Sequence, residues 1–256
     1  MNAVPRISVV IPVRDGAAYL SSAIGTVERQ GRKDLEVLLI DDGSGDDLAV
    51  KVAACPGYVR YIRQEPAGQA AARNNGIAHA AGEYIAYLDI DDLWAPEHLN
   101  NLCGVLDNDS EAGIAQGMMR QFWKDAAGTV FGTPLYRMPY LGSCLFRREV
   151  FARCGNFDVT MAFGEDYDFL FRCWENDIVK VNVPQLSLLY RRHEGNMTRG
   201  HNVAAHTIVV KRRLERIRAG LCDPSAVRRF VFQDYIGDLG KGGELLFQEA
   251  APCVLP

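Results

Sequence analysis

Three carboxylates within four residues, Asp89, Asp91 and Asp92, close an apolar run from Tyr84 to Leu88. Like charges packed this closely repel, and a cation shared with an anionic partner relieves them. Oxygen donors suit Mg2+ or Mn2+. Mg2+ in particular is held by one or two carboxylates, with water and substrate phosphates completing its octahedron. Asp89-Ile90-Asp91 therefore points to a divalent cation beside a diphosphate. The competing reading is local: Asp91 and Asp92 cap a helix starting near Pro96, or form an acidic turn.

Two further acidic stretches could do chemistry. Leu35 to Ile40 runs into Asp41-Asp42-Gly43-Ser44, and Gly164-Glu165-Asp166-Tyr167-Asp168 opens an apolar helical pattern of Phe169, Leu170, Cys173 and Trp174. Carboxylates in a first helical turn are favoured by unpaired backbone N–H groups, so Glu165 and Asp166 serve as caps on one reading. On the other, one of them is a general base that takes a proton from an attacking hydroxyl, with Asp168 a weaker candidate. Of the five histidines, His193 alone lies at a strand end beside basic residues, Arg191 and Arg192, where it could ligate the cation or touch a phosphate. His79, His98, His201 and His206 read as surface or packing residues.

The elements that must position these groups alternate. Ile7–Val13, 35–40, 59–63 and 84–88 read as strands, and helical patterns follow each of the first three, the last being alanine-rich from Gly68 to Ala81. A βαβαβαβ order predicts a twisted parallel sheet with right-handed crossovers and helices on both faces. Ligands of such sheets bind outside the carboxyl ends of the strands, which is where Pro12 to Asp15, Asp41-Asp42 and Asp89 to Asp92 fall. No Gly-x-Gly-x-x-Gly turn follows the first strand, so a nicotinamide or flavin cofactor is not expected. Beyond a helix from Pro96 to Leu106, shorter strands at 114–122, 129–131 and 139–146 predict mixed or antiparallel pairing. A helix over 147–154 and two strands, 178–183 and 186–192, divided by Pro184, complete this half.

The chain has 256 residues, 48% of them hydrophobic, and a net charge of -4, which argues against a nucleic-acid partner. No apolar run is long enough to span a bilayer, and the N-terminus leads into a strand without a signal-peptide pattern, so a cytoplasmic protein is expected. Seven dispersed cysteines without a Cys-x-x-Cys pair read as reduced core residues. In the tail, Val203, Val210, Leu214, Ile217 and Leu221 share one helical face, with Lys211, Arg212, Arg213, Arg216 and Arg218 around it. This predicts an apolar stripe packed on the protein, or alternatively a peripheral membrane contact through residues 203–221. Asp223-Pro224 signals another helix, and 237–243 is glycine-rich.

The motifs Val9-Val10-Ile11-Pro12-Val13, Asp41-Asp42-Gly43-Ser44, Ala71-Ala72-Arg73-Asn74, Gly82 to Trp94, Cys154-Gly155-Asn156-Phe157-Asp158 and Gly164 to Asp168 occur in an order that resembles glycosyltransferase family 2. The likeness spans about residues 5 to 195. It implies a Rossmann-like α/β fold of the GT-A type, a three-layer sandwich around a mostly parallel sheet with a C-terminal helical tail. The expected division is a nucleotide-binding half (1–107), an acceptor-binding half (108–200) and a helical extension (201–256).

The resemblance implies inverting transfer of a sugar from a nucleotide-diphosphate donor, UDP-sugar first, to the hydroxyl of a glycan or lipid-linked acceptor. Asp42 would accept a hydrogen bond from a pyrimidine N–H, with Pro12 and Val13 lining the base pocket and Arg73 meeting the diphosphate or base edge. Asp89 would lie near ribose and cation and Asp91 would ligate the cation directly. Asp15, Gly68 and Ile90 complete the expected donor contacts. Asp166 would be the base, with Glu165 beside it, and His193 joins Asp89 and Asp91 as the expected cation set. A nucleotidyltransferase and a non-catalytic sugar-nucleotide-binding protein are the alternatives; the former would carry a glycine-rich basic loop where Arg14-Asp15-Gly16 stands.

Overall fold

The computed structural model describes residues 4–196, 202–223, 225–226, 228–237 and 249–255, and within these omits the side chains of 202–206, 208 and 233. The N-terminal half contains β1 (Ile7–Val13), α1 (Leu20–Glu28), β2 (Leu35–Asp41), α2 (Leu48–Val52), β3 (Val59–Arg63), α3 (Gln69–His79) and β4 (Tyr84–Tyr87). There follow β5 (Leu93–Trp94), α4 (His98–Asn108), β6 (Ala112–Lys124), β7 (Val130–Gly132), β8 (Cys144–Arg147) and α5 (Glu149–Cys154). The last elements are α6 (Glu165–Glu175), β9 (Val179–Arg191), α7 (Asn202–Arg218), α8 (Phe232–Ile236) and β10 (Ala251–Pro252).

β3, β2, β1 and β4 pair in parallel in that order, and every residue of β1, β2 and β4 is buried. Strands covered on both faces need apolar residues at successive positions, which Ile7–Val13 and Leu35–Asp41 supply except at Ser8, Glu36 and Asp41, and the Ser8 hydroxyl donates to Glu36 at 2.8 Å. Beyond β4 the sheet changes sense: β8 pairs antiparallel with β4 and β6, β7 with β6, and β10 with β7. One apolar core lies under α1 and α4, the other under α3, α5 and α6.

Four expectations are corrected locally. The two strands expected over 178–183 and 186–192 are one strand, β9 (Val179–Arg191), running through Pro184 parallel to β6. The partner register jumps from Gln116–Asn182 to Met118–Leu186 there, and the bulge spares Pro184 a ladder bond. Residues 141–143 make a single 3-10 turn ahead of β8 instead of extending a strand. In α7 the apolar stripe does not face the protein: Val210 and Leu214 are 54% and 47% exposed. Arg213 and Arg216 turn inward instead, to Glu175 and Asp168 on α6. Val203 and the 238–243 part of the glycine-rich stretch lie outside the described side chains. The C-terminal extension also contributes β10 to the sheet, so it is not helical alone.

Candidate active site

β4 ends where its pairing with β1 stops, and the chain turns through Asp89 to Asp92 before β5 pairs with β9. This delivers Asp91 to the end of β9, with Asp91 Oδ2 2.9 Å from His193 Nε2 and 3.5 Å from Asn196 Nδ2. Tyr19 backs the imidazole, their centroids 5.4 Å apart, and the Arg191 guanidinium lies over the Tyr19 ring. Burial and the neighbouring Asp89 charge push the Asp91 carboxyl above its ordinary pKa, against the pull of the His193 hydrogen bond. Asp92 is not a cap for α4, which begins at His98. Its buried Oδ1 accepts the Arg191 N–H at 2.8 Å and so ties the end of β9 to the acidic turn.

Asp89 is claimed by protein groups. Arg73 Nη2 lies 3.2 Å from its Oδ1, Gln69 Nε2 donates to the same oxygen at 3.3 Å, and the Tyr140 hydroxyl donates to Oδ2 at 3.0 Å. Asp91 and His193 thus stand together, while Asp89 is drawn toward Arg73. Among the described residues no three His, Cys, Asp or Glu side chains are set as a metal cage. One carboxylate and one imidazole still fit an octahedral ion whose other positions go to water and phosphate, and the mixed donor pair suits Mn2+.

Arg73 itself, on α3, is 3% exposed and ion-paired with Glu165 as well as Asp89. It bridges two halves of the chain, joining the acidic turn after β4 to the start of α6. The pairing engages Glu165 and leaves Asp166 beside it with one bond, from the Tyr167 N–H at 2.8 Å. Burial, then the Glu165 charge, raise the Asp166 carboxyl to about 7, against the attraction of Arg73. That brings the Asp166 carboxyl into the range where a proton is exchanged near neutral pH. Asp168 is committed to Arg172 and Arg216 at 2.9 and 2.6 Å, away from this site.

At the donor end Asp42 is buried; its Oδ1 accepts from Gln64 Nε2 and the Ala67 N–H, and its Oδ2 from the Gly68 N–H at 2.9 Å. A carboxylate offers about four acceptor positions, so one remains on Oδ2. Gly68 has φ +90°, a conformation open to glycine, and from it α3 begins without a side-chain cap. Pro12, Val13 and Ile90 are buried beneath this end; a Cβ on Gly16 would meet Ile90 and Val13 at 2.8 Å. Asp15 is exposed at φ 53°, and its Oδ1 accepts the Gly45 N–H at 2.7 Å, tying the β1 and β2 turns together. A groove of about 330 Å3 runs between Gly68–Ala70 and residues 159–162, with Glu165 on its wall.

Tyr140, Gln69 and Asn196 join the site without a mark in the sequence pattern. Tyr140 stands in an apolar stretch, and nothing in its spacing distinguishes a phenol that reaches Asp89 from one that packs.

A mixed α/β sheet with an acidic turn after its fourth strand and a carboxylate-bearing helix opposite defines the GT-A class of glycosyltransferases. Solved structures agree on the fold: a mannosyltransferase from Pyrobaculum calidifontis in complex with GDP-Man and Mn2+ superposes with TM-score 0.66, at 21% identity, over 87% of this chain and 67% of that one. S. aureus TarS 1-349 in complex with UDP-GlcNAc gives 0.63 at 17% identity, over 76% of this chain and 61% of that one.

The chain belongs to glycosyl transferase family 2, whose model matches residues 8–155. Curated relatives include an uncharacterized glycosyltransferase of Nostoc, 37% identical over 43% of this chain and 35% of its own length. Another is the uncharacterized glycosyltransferase EpsJ of Bacillus subtilis, 26% identical over 76% of this chain and 63% of its own length. A Rickettsia conorii relative is 45% identical over 35% of this chain, which spans only 15% of that protein.

Proposed function

We propose that this chain transfers a sugar from a nucleotide-diphosphate donor to an acceptor hydroxyl in a single inverting displacement. The observation that carries the reading is the adjacent pair Glu165 and Asp166, the first ion-paired with the buried Arg73 and the second left with a single hydrogen bond, from the Tyr167 N–H. Asp166 takes the hydroxyl proton as the acceptor oxygen bonds to the anomeric carbon. The bond from that carbon to the diphosphate breaks on the opposite face, which inverts its configuration. No covalent intermediate is needed, so one base suffices.

Asp91 and His193 would hold a divalent cation, Mn2+ or Mg2+, which supplies charge to the leaving diphosphate. The free position on Asp42 Oδ2 suits a pyrimidine N–H, and the start of α3, which has no side-chain cap, would offer backbone N–H groups to the diphosphate. UDP is the favoured nucleotide; one solved neighbour carries UDP-GlcNAc and another GDP-Man with Mn2+. A glycan or lipid-linked acceptor, as in polysaccharide or glycoconjugate synthesis, is proposed on family grounds. So is a cytoplasmic location with peripheral contact at the inner membrane face, supported by the outward Val210 and Leu214. Among the described residues no helix is long and apolar enough to cross a membrane.

The test is incubation with UDP-, GDP- and dTDP-sugars with and without Mn2+, reading donor hydrolysis and transfer. Cation-dependent release of nucleoside diphosphate supports the proposal. Binding of a nucleotide sugar without even slow hydrolysis would leave the non-catalytic alternative, and formation of a nucleotide sugar from a sugar phosphate would favour the nucleotidyltransferase.

A further inference from the structure

A second concentration of charge lies at the far end of α6 from Asp166. A cavity of about 330 Å3 there is lined by Arg153, Arg172, Arg216 and Arg228, with Glu175 and Asp223 as its carboxylates. Glu175 is already taken by Arg213 and Arg216 at 3.2 and 3.0 Å. The exposed Asp223 turns its Oδ1 to the Ser225 N–H and hydroxyl. Arg172 is matched by Asp168 at 2.9 Å. Arg153 Nη2 donates to the Asn176 carbonyl at 3.0 Å and has no carboxylate partner among the described residues. Arg228 donates to the carbonyls of Glu175 and Asp223, and its nearest carboxylate, Asp177, is 3.9 Å away.

Capping the carbonyls at the ends of α5 and α6 accounts for the bond of Arg153, the carbonyl bonds of Arg172 and one bond of Arg228, and the carboxylates of Asp168 and Glu175 account for Arg216. It does not account for an open volume between guanidinium groups whose charge carbonyl dipoles do not cancel. Guanidinium forks with spare donors match the oxygens of a phosphate group. We propose that this cavity binds a phosphate group, separately from the donor cleft. Leu221 on its wall is 78% exposed, and Val210 and Leu214 continue an apolar ridge along the outer side of α7. The same cavity therefore admits free phosphate or a phosphate borne on an apolar chain.

The test titrates inorganic phosphate into the full chain, with Arg153→Gln/Arg228→Gln as the cavity variant and Asp91→Asn as the donor-cleft control. Phosphate affinity should fall about tenfold or more in the cavity variant and hold in the control. Phosphate should also slow alkylation of Cys222, a buried cavity-lining thiol, in the unsubstituted chain, a readout that does not depend on the variant folding. Vesicles of phosphatidylcholine with phosphatidic acid provide the other arm. Retention lost in the cavity variant, with free phosphate inert, assigns a lipid-borne group; saturable binding of free phosphate assigns a soluble one. If neither probe binds in a way that depends on Arg153 and Arg228, and Cys222 is unprotected, the proposal fails.

Discussion

At the scale of single residues, the candidate chemistry rests on an asymmetry between neighbours. Glu165 and Asp166 are adjacent carboxylates, yet an arginine from α3 takes the first and leaves the second. Asp166→Asn should keep donor affinity and lower kcat by about 10^2 to 10^4, the span expected for loss of a positioned base. Full activity in that variant would move the role to another group. A base that must be ionised gives a rate that rises with pH through its pKa, so kcat/KM should climb to a plateau with an apparent value of about 7, the level to which burial and Glu165 lift Asp166. A profile flat from pH 6 to 8 would contradict it. Asp91→Asn should abolish cation-dependent nucleotide binding, and calorimetry showing unchanged donor affinity with Mn2+ would reject the cation role. The acidic pattern made Asp91 and Asp166 legible, because charges at strand and helix ends stand out. What Arg73 contacts was not legible, since a helix face says nothing about which carboxylates another part of the chain will bring to it.

At the scale of elements, α3 holds the site together. Its first residues meet Asp42 and Asp89, and one turn on, Arg73 reaches Glu165 across the fold. Its seat on the sheet depends on Gly76, where a Cβ would come within 2.3 Å of Val10 Cγ1. Gly76→Ala should therefore lift the helix off β1, costing about 1–3 kcal/mol of stability as other overpacked sites do. Because Gly68, Gln69 and Arg73 ride on the same helix, KM for the donor should rise with it. Chemical denaturation and donor kinetics check both, and an unchanged midpoint would show that β1 yields without cost. The alanine-rich pattern located this helix, but the close approach is a property of two elements and has no one-element signature. The same limit explains α7. Periodicity places arginines in solvent, whereas Arg213 and Arg216 find Glu175 and Asp168 on α6 and leave the apolar stripe outside.

At the scale of the molecule, alternating elements foretold the parallel half of the sheet, where apolar runs buried on both faces are read directly from composition. The second, mixed half was predicted only in outline, because its pairings depend on a bulge at Pro184 in the parallel β6–β9 ladder and a turn at 141–143 that side-chain pattern does not specify. Where that half meets the first, the ring of His98 stacks on Trp94, 4.4 Å between centroids, fully buried and with neither nitrogen hydrogen-bonded. Burial lowers its pKa from 6.5 to about 3. Above pH 6.5 the imidazole is neutral folded or unfolded and contributes no pH dependence. As pH falls below 6.5 the unfolded chain gains a proton that the fold refuses, so stability should drop by about 1 kcal/mol per pH unit toward pH 4. The raised carboxyls of Asp91 and Asp166 act in the opposite sense, since the fold holds their protons more tightly than the unfolded chain does. A comparison with His98→Phe, which keeps an aromatic ring against Trp94, removes that common background. Between pH 7 and 4.5 the urea midpoint of the parent should fall relative to that of the variant, so that the difference between them shifts steadily in favour of His98→Phe, whereas parallel curves would mean that His98 takes up its proton in the folded state.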